Sequence, residues 1–135
     1  MGEIRVRVKL TNAVDEALAH RGDLASEKVR SCEADAMIDT GAIRSVVPAS
    51  LTEQLGIEIR RQQSAQLADG STRTVGVTGP VLFELEGREA LEEALVMGDE
   101  VLIGQTTLEA VDLMADCAGQ RLVPGHPEGP VLKVK

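Results

Sequence analysis

The sequence predicts an all-β fold carrying one or two short helices, and three observations predict it. Ile4, Val6, Val8 and Leu10 alternate with Arg5, Arg7 and Lys9, the two-residue period of a strand with one buried and one wet face. The same period returns at 29–38, through Cys32, Ala34, Ala36 and Ile38, and at 81–85, through Val81, Phe83 and Leu85. Between two further runs, 57–67 and 72–77, stands Asp69-Gly70, a dipeptide that favours the two-residue turn of a β-hairpin.

Taken in order, the strand over 4–10 leads into a polar, Ala-rich stretch, 11–28. It reads as a long connection in which Val14 to Ala19 can form a helical turn. The strand over 29–38 follows. Pro48 to Leu55 reads as a short helix, because proline suits a helix start, Leu51 and Leu55 share a face, and Gly56 suits the left-handed position past the end. After the hairpin, Gly79-Pro80 breaks the chain, and the strand over 81–85 turns at Gly87-Arg88. Residues 89–97 are ambiguous: their Ala, Leu and Glu favour helix, whereas Leu91, Leu95 and Met97 permit a strand. Val101 to Gly104 reads as a short buried strand. Leu108, Val111 and Leu113 recur at near-helical spacing, and Ala118-Gly119 turns a last hairpin between 113–117 and 121–123. The Pro/Gly-rich tail, 124–135, ends in Val131-Leu132-Lys133-Val134, a candidate terminal edge strand.

With 135 residues and 43% hydrophobic content, the chain buries roughly two-thirds of its unfolded surface, enough for one domain over 1–135. Its 14 basic and 22 acidic side chains give a net charge of −8, an electrostatic handicap for a phosphate-backbone binder. One Phe, no Tyr and no Trp leave little on which bases can stack, and no Gly-rich phosphate loop is present. Nucleic acid is therefore not expected as a partner. Seven carboxylates between Glu84 and Glu100 accompany only Arg88 and read as a solvated acidic face. No apolar run reaches the ~18 residues that span a bilayer, and no signal-peptide core stands at the N-terminus, so no membrane association is expected and the location is read as cytoplasmic. Cys32 and Cys117 lack CxxC spacing and read as buried free thiols. With His20 and His126 the only histidines, neither a metal site, a cofactor nor a histidine-based triad is expected.

The informative stretch is Ala36 to Val47, Ala-Met-Ile-Asp-Thr-Gly-Ala-Ile-Arg-Ser-Val-Val. An apolar strand delivers Asp39 to its end and the chain turns at once through Thr40 and Gly41, which predicts a carboxylate where water is scarce and where a lone charge is costly. The apolar-apolar-Asp-Thr-Gly-Ala pattern resembles the catalytic loop of aspartic proteases. The later Val101-Leu102-Ile103-Gly104 resembles the apolar-apolar-Gly segment that packs beside it. One copy of each is present, so the resemblance is to the retropepsin-like, retroviral-type aspartic proteases and their bacterial single-domain relatives.

That resemblance covers about 29–123 and implies an acid-protease closed β-barrel, a strand rather than a helix over 89–97, and a homodimer. It implies Asp39 as the catalytic carboxylate. Thr40 would brace two loops across a two-fold axis, Gly41 would admit the substrate backbone, and Ala42 would line the cleft. Ser45, Ile103 and Gly104 would support the loop. Ala68, Asp69, Gly70 and Ser71 resemble the tip of a flap closing over a peptide. Two positions depart from the retroviral pattern: Ile43 stands where an Asp often binds substrate backbone, with Arg44 next, and Gln105 follows Gly104 where Arg or Asn is frequent. The chemistry needs two carboxylates close enough to share a proton, and a chain with one Asp39 supplies the second only by two-fold pairing. The implied activity is hydrolysis of peptide bonds in a peptide or protein substrate. The alternative is a catalytically silent domain that keeps the fold as a protein-binding or scaffold module.

Overall fold

β1 (Arg5–Asn12) buries Val8 and Leu10 and exposes Arg5, Arg7 and Lys9, as its alternation dictates. It pairs antiparallel with β2 (Ser31–Ile38) on one side and with β6 (Val81–Leu85) on the other. A computed structural model describes residues 3–131 and residue 134. It is mostly β, with a nine-stranded sheet wrapped as a half-barrel and a separate two-stranded hairpin.

The remaining elements follow the sequence reading closely. β3 (Val46–Val47) leads into α2 (Ala49–Leu55), with Pro48 at the cap and Gly56 at φ 62°, the left-handed position that ends the helix. The hairpin is β4 (Ile59–Gln66) with β5 (Thr72–Thr78). β7 (Arg88–Glu92) and β8 (Leu95–Val96) resolve the ambiguity at 89–97 as strand. β9 (Val101–Ile103), α3 (Gln105–Val111), β10 (Leu113–Asp116) and β11 (Arg121–Pro124) complete the chain.

The strand order of the large sheet is β4-β5-β8-β3-β9-β2-β1-β6-β7, so β4 and β7 are its edges and do not pair with each other. β4 is polar and exposed along nearly its whole length, the composition that discourages edge-to-edge association. Val8, Leu10, Phe83, Leu85, Val101, Ile103, Leu108 and Val111 form the buried cluster inside the wrap. Each such side chain contributes about 1.5–3 kcal/mol by leaving water.

Several expectations are corrected. The connection over 11–28 contains a two-turn helix, α1 (Ala13–His20), and a 3-10 turn at Ser26–Lys28, which makes three short helices. Asn12 caps α1 by accepting from the Asp15 amide, and Asp15 is anchored in turn by Arg30, from its amide at 3.0 Å and from Nε at 2.8 Å. The cap and the more distant Arg30 together hold a helix whose local signal is weak. At the hairpin tip the loop is the three residues Ala68, Asp69 and Gly70, with the Gly70 amide donating to the Leu67 carbonyl and the Leu67 amide to the Ser71 carbonyl. Only Gly70, at φ 87°, needs a left-handed residue, because Asp69 instead accepts from Ser71 through its side chain.

Leu91 is exposed and Ala90 is buried, the opposite phase to the expected one, since the tight turn at Glu86-Gly87 sets the register of β7 against β6. Cys32 is half-buried and Cys117 exposed, both free; Cys117 lies in the loop between β10 and β11 rather than in a strand. The acidic stretch is not one solvated face: Glu93 pairs with Arg61, Glu100 with Arg5, and Glu92 turns inward. Arg88 is occupied elsewhere, donating to the terminal carbonyls of α3 at Val111 and Asp112. The terminal strand expected at 131–134 falls on Leu132 and Lys133, which lie outside the described residues; Val131 and Val134 are not in a strand.

Candidate active site

β9 lies between β2 and β3, parallel to the first and antiparallel to the second. The chain therefore leaves β2 at Ile38, turns through 39–45, and re-enters the sheet on the far side of β9. That turn is pinned to the end of β9 from both directions. The Asp39 amide donates to the Ile103 carbonyl (2.9 Å), the Gln105 amide to the Ala42 carbonyl (2.8 Å) and the Thr106 amide to the Ile43 carbonyl (2.9 Å).

Glycine is required at 104 by space. A Cβ there would lie 2.5 and 2.6 Å from the carbonyl carbon and oxygen of Arg44 and 3.0 Å from the Ala42 oxygen, all backbone atoms that cannot swing aside. Inside the turn, Asp39 Oδ1 accepts the Gly41 amide at 3.1 Å, and the Ala42 amide donates to the Asp39 carbonyl at 3.1 Å. The carboxylate is thus oriented by its own loop.

Asp39 is half-buried, with Thr40 and Gly41 exposed and Ile43 75% exposed. The expected withdrawal of this carboxylate from water is not achieved within one chain. β2 ends at Ile38, and the turn carries residues 40, 41 and 43 outward from the sheet. Supporting residues behave differently: Ser45 and Ile103 are fully buried, and Ser45 Oγ accepts the Gly104 amide at 2.9 Å.

The structure brings together Asp39, Thr40, Gly41, Ala42, Ser45, Ile103 and Gly104. Ala68, Asp69, Gly70 and Ser71 stand at the tip of the β4–β5 hairpin. Among the described residues no hydrogen bond joins that tip to the loop. At the tip, Ser71 holds the Asp69 carboxyl below its usual range by donating from its hydroxyl and then its amide. Sequence reading missed Thr107 and Glu92, which extend the bonding from Ser45. Thr107 had a usable signal: it stands four residues before Val111, on the inward face of α3. Glu92 had none, since it sits in an acidic run.

Residues 27–110, well over half of the chain, match the model of the family described as "gag-polyprotein putative aspartyl protease". The chain belongs to this family. The matched range includes the Asp39 loop, the hairpin tip and Gly104. Among solved structures, the retroviral protease-like domain of Ddi1 from Leishmania major aligns with a TM-score of 0.59 at 18% identity, covering 98% of this chain and 96% of that one. At that identity the likeness carries the retropepsin-like fold alone. No curated protein matches the chain. No helix among the described residues is long and apolar enough to cross a membrane.

Proposed function

We propose that the protein is an aspartic endopeptidase whose active site forms at a two-fold axis between two copies of the chain, each contributing Asp39. The observation that supports this reading is the single Asp-Thr-Gly turn, pinned around the end of β9, with Asp39 half-buried and its neighbours Thr40 and Gly41 exposed. A turn held this firmly, yet with Thr40, Gly41 and Ile43 exposed, suits a site completed by a second copy. Two-fold symmetry would set one Asp39 beside the other.

Paired carboxylates that close cannot both ionise and so share one proton. The ionised one takes a proton from water as the oxygen adds to the peptide carbonyl carbon. Its protonated partner gives a proton to the carbonyl oxygen. As the tetrahedral diol collapses, the C–N bond breaks, the departing nitrogen takes the proton held by the first Asp39, and the ionised partner takes one from a diol hydroxyl, which restores the single shared proton. Thr40 braces one turn against the other, Gly41 and Ala42 line the cleft, and residues 68–71 fold over the peptide. The substrate is a peptide or a protein segment.

The alternative, a silent domain that binds proteins through the same surface, is separated by direct assay. A diverse peptide library should be cleaved by the wild type, and Asp39→Asn should lower the rate by about a hundredfold to ten-thousandfold. A pepstatin-type mimic should raise the melting temperature of the wild type only. Intact peptides after prolonged incubation with a folded, dimeric wild type would decide for the scaffold.

A further inference from the structure

Beneath the Asp39 turn, three side chains form a one-way chain of hydrogen bonds that ends in a carboxylate. The Gly104 amide donates to Ser45 Oγ at 2.9 Å, Ser45 Oγ lies 2.6 Å from Thr107 Oγ1, and Thr107 Oγ1 donates to Glu92 Oε1 at 2.5 Å. Each hydroxyl has one proton to give. Because that of Thr107 goes to Glu92, the bond between the hydroxyls is donated by Ser45, whose lone pair is left facing Gly104. The direction of the whole chain is therefore set at its far end, by an acceptor on β7.

Ser45 and Thr107 are both fully buried, so neither hydroxyl has bulk water as an alternative partner. Without the carboxylate, Thr107 is free to donate back towards Ser45, whose own proton then loses its acceptor in a buried site and competes with the Gly104 amide for the space around Oγ. The bond to Gly104 weakens first. Gly104 immediately follows Ile103, which receives the Asp39 amide, and Ser45 closes the Asp39 turn. Both ends of the turn thus depend on the same chain.

We propose that Glu92 is a positioning residue for the Asp39 site, fixing the Gly104 amide and the 39–45 turn through Thr107 and Ser45. Its consequence for turnover rests on the peptidase reading above; its consequence for the turn does not. The role is that of an acceptor rather than a charge, so Gln, whose carbonyl oxygen also accepts from Thr107, performs it. Displacements of about 1 Å at a reacting group cost on the order of a hundredfold in rate, which makes a remote acceptor kinetically visible.

The test compares the full-length wild type with Glu92→Leu, Glu92→Gln, Thr107→Val and the exposed-site control Glu89→Gln, by amide hydrogen exchange at Gly104 and by peptide hydrolysis. In Glu92→Leu, Gly104 exchange should accelerate about tenfold or more, and kcat should fall roughly tenfold to a hundredfold with KM changed less than about threefold. Thr107→Val should reproduce both effects, and Glu92→Gln and Glu89→Gln should stay within about threefold of wild type. A folded Glu92→Leu protein with wild-type exchange at Gly104 overturns the proposal, and so does a Glu92→Gln protein as impaired as the Leu variant. A wild type that hydrolyses nothing would instead defeat the peptidase reading, and exchange at Gly104 alone would then decide the role of Glu92.

Discussion

The Asp39 amide donates to the Ile103 carbonyl across 2.9 Å, joining the candidate catalytic turn to the end of a strand far along the chain. Everything that moves the end of β9 therefore moves Asp39. Gly104→Ala is the sharpest probe of this coupling. Its φ of −92° is open to any residue, but the added methyl would press on the Arg44 and Ala42 backbone. Overpacking of this kind costs about 1–3 kcal/mol, which lowers the melting temperature by roughly 4–12 °C. Peptide hydrolysis should fall by a larger factor than that of a surface variant of equal stability loss; calorimetry beside an activity assay checks both.

Subunit mixing tests whether the site is shared. Asp39→Asn should fold and dimerise, because it keeps side-chain shape, and its own dimer should keep no more than about one-hundredth of the wild-type rate. After free exchange with a fraction f of variant chains, active wild-type dimers scale as (1 − f) squared, whereas an independent monomeric site scales as (1 − f). At equal mixing the rates are about one-quarter against about one-half of the starting value. A linear titration after verified exchange excludes the shared site.

Gly70→Val addresses the hairpin tip. A Cβ at Gly70 meets nothing within 4 Å, so its cost is conformational: a β-branched residue resists the φ of 87° that closes the loop. Turnover should fall more than stability, since the strands on either side are untouched. Unchanged hydrolysis by a folded variant would show that this hairpin does not act as a flap.

Asp15, the buried one of the aspartates held below their usual range, is one source of acid sensitivity. The Arg30 guanidinium, and then the Arg30 amide, hold its carboxyl below the usual range against the opposing effect of burial. A folded-state value below the unfolded value of about 3.9 means that the unfolded chain binds more protons, so stability rises with pH. The contribution is fully present above that unfolded value and is lost as pH falls through the folded one. Asp15→Asn should therefore cost about 1–3 kcal/mol near neutrality, towards the lower end because Arg30 is half exposed. Its urea midpoint should converge on that of the wild type as the pH is taken well below about 3.9. A gap that stays constant with pH would show that the ion pair contributes nothing.

Some of the molecule is determined by local pattern alone. The alternation in β1, β2 and β6 selects strand and face together, because side chains on a pleated strand must take opposite sides. Pro48 and Gly56 bound α2 by backbone geometry. The Asp-Thr-Gly turn and the Val-Leu-Ile-Gly segment were recognisable because each is a short stretch whose residues act on their own neighbours.

Tertiary structure decided what depends on distant partners. α1 forms where local propensity is weak, because Asp15 finds Arg30 across the fold. The phase of β7 follows from a turn and from pairing with β6, so Leu91 faces water although its hydrophobicity argued otherwise. The environment of Asp39 depends on packing around the turn, which leaves it half-buried with Thr40 and Gly41 exposed. Glu92 is the clearest case: in the sequence it is one carboxylate among seven, and only the packing of α3 against β7 places Thr107 and Ser45 beside it. A hydrogen bond requires a donor and an acceptor within about 3 Å and in line, a condition that composition and spacing cannot express.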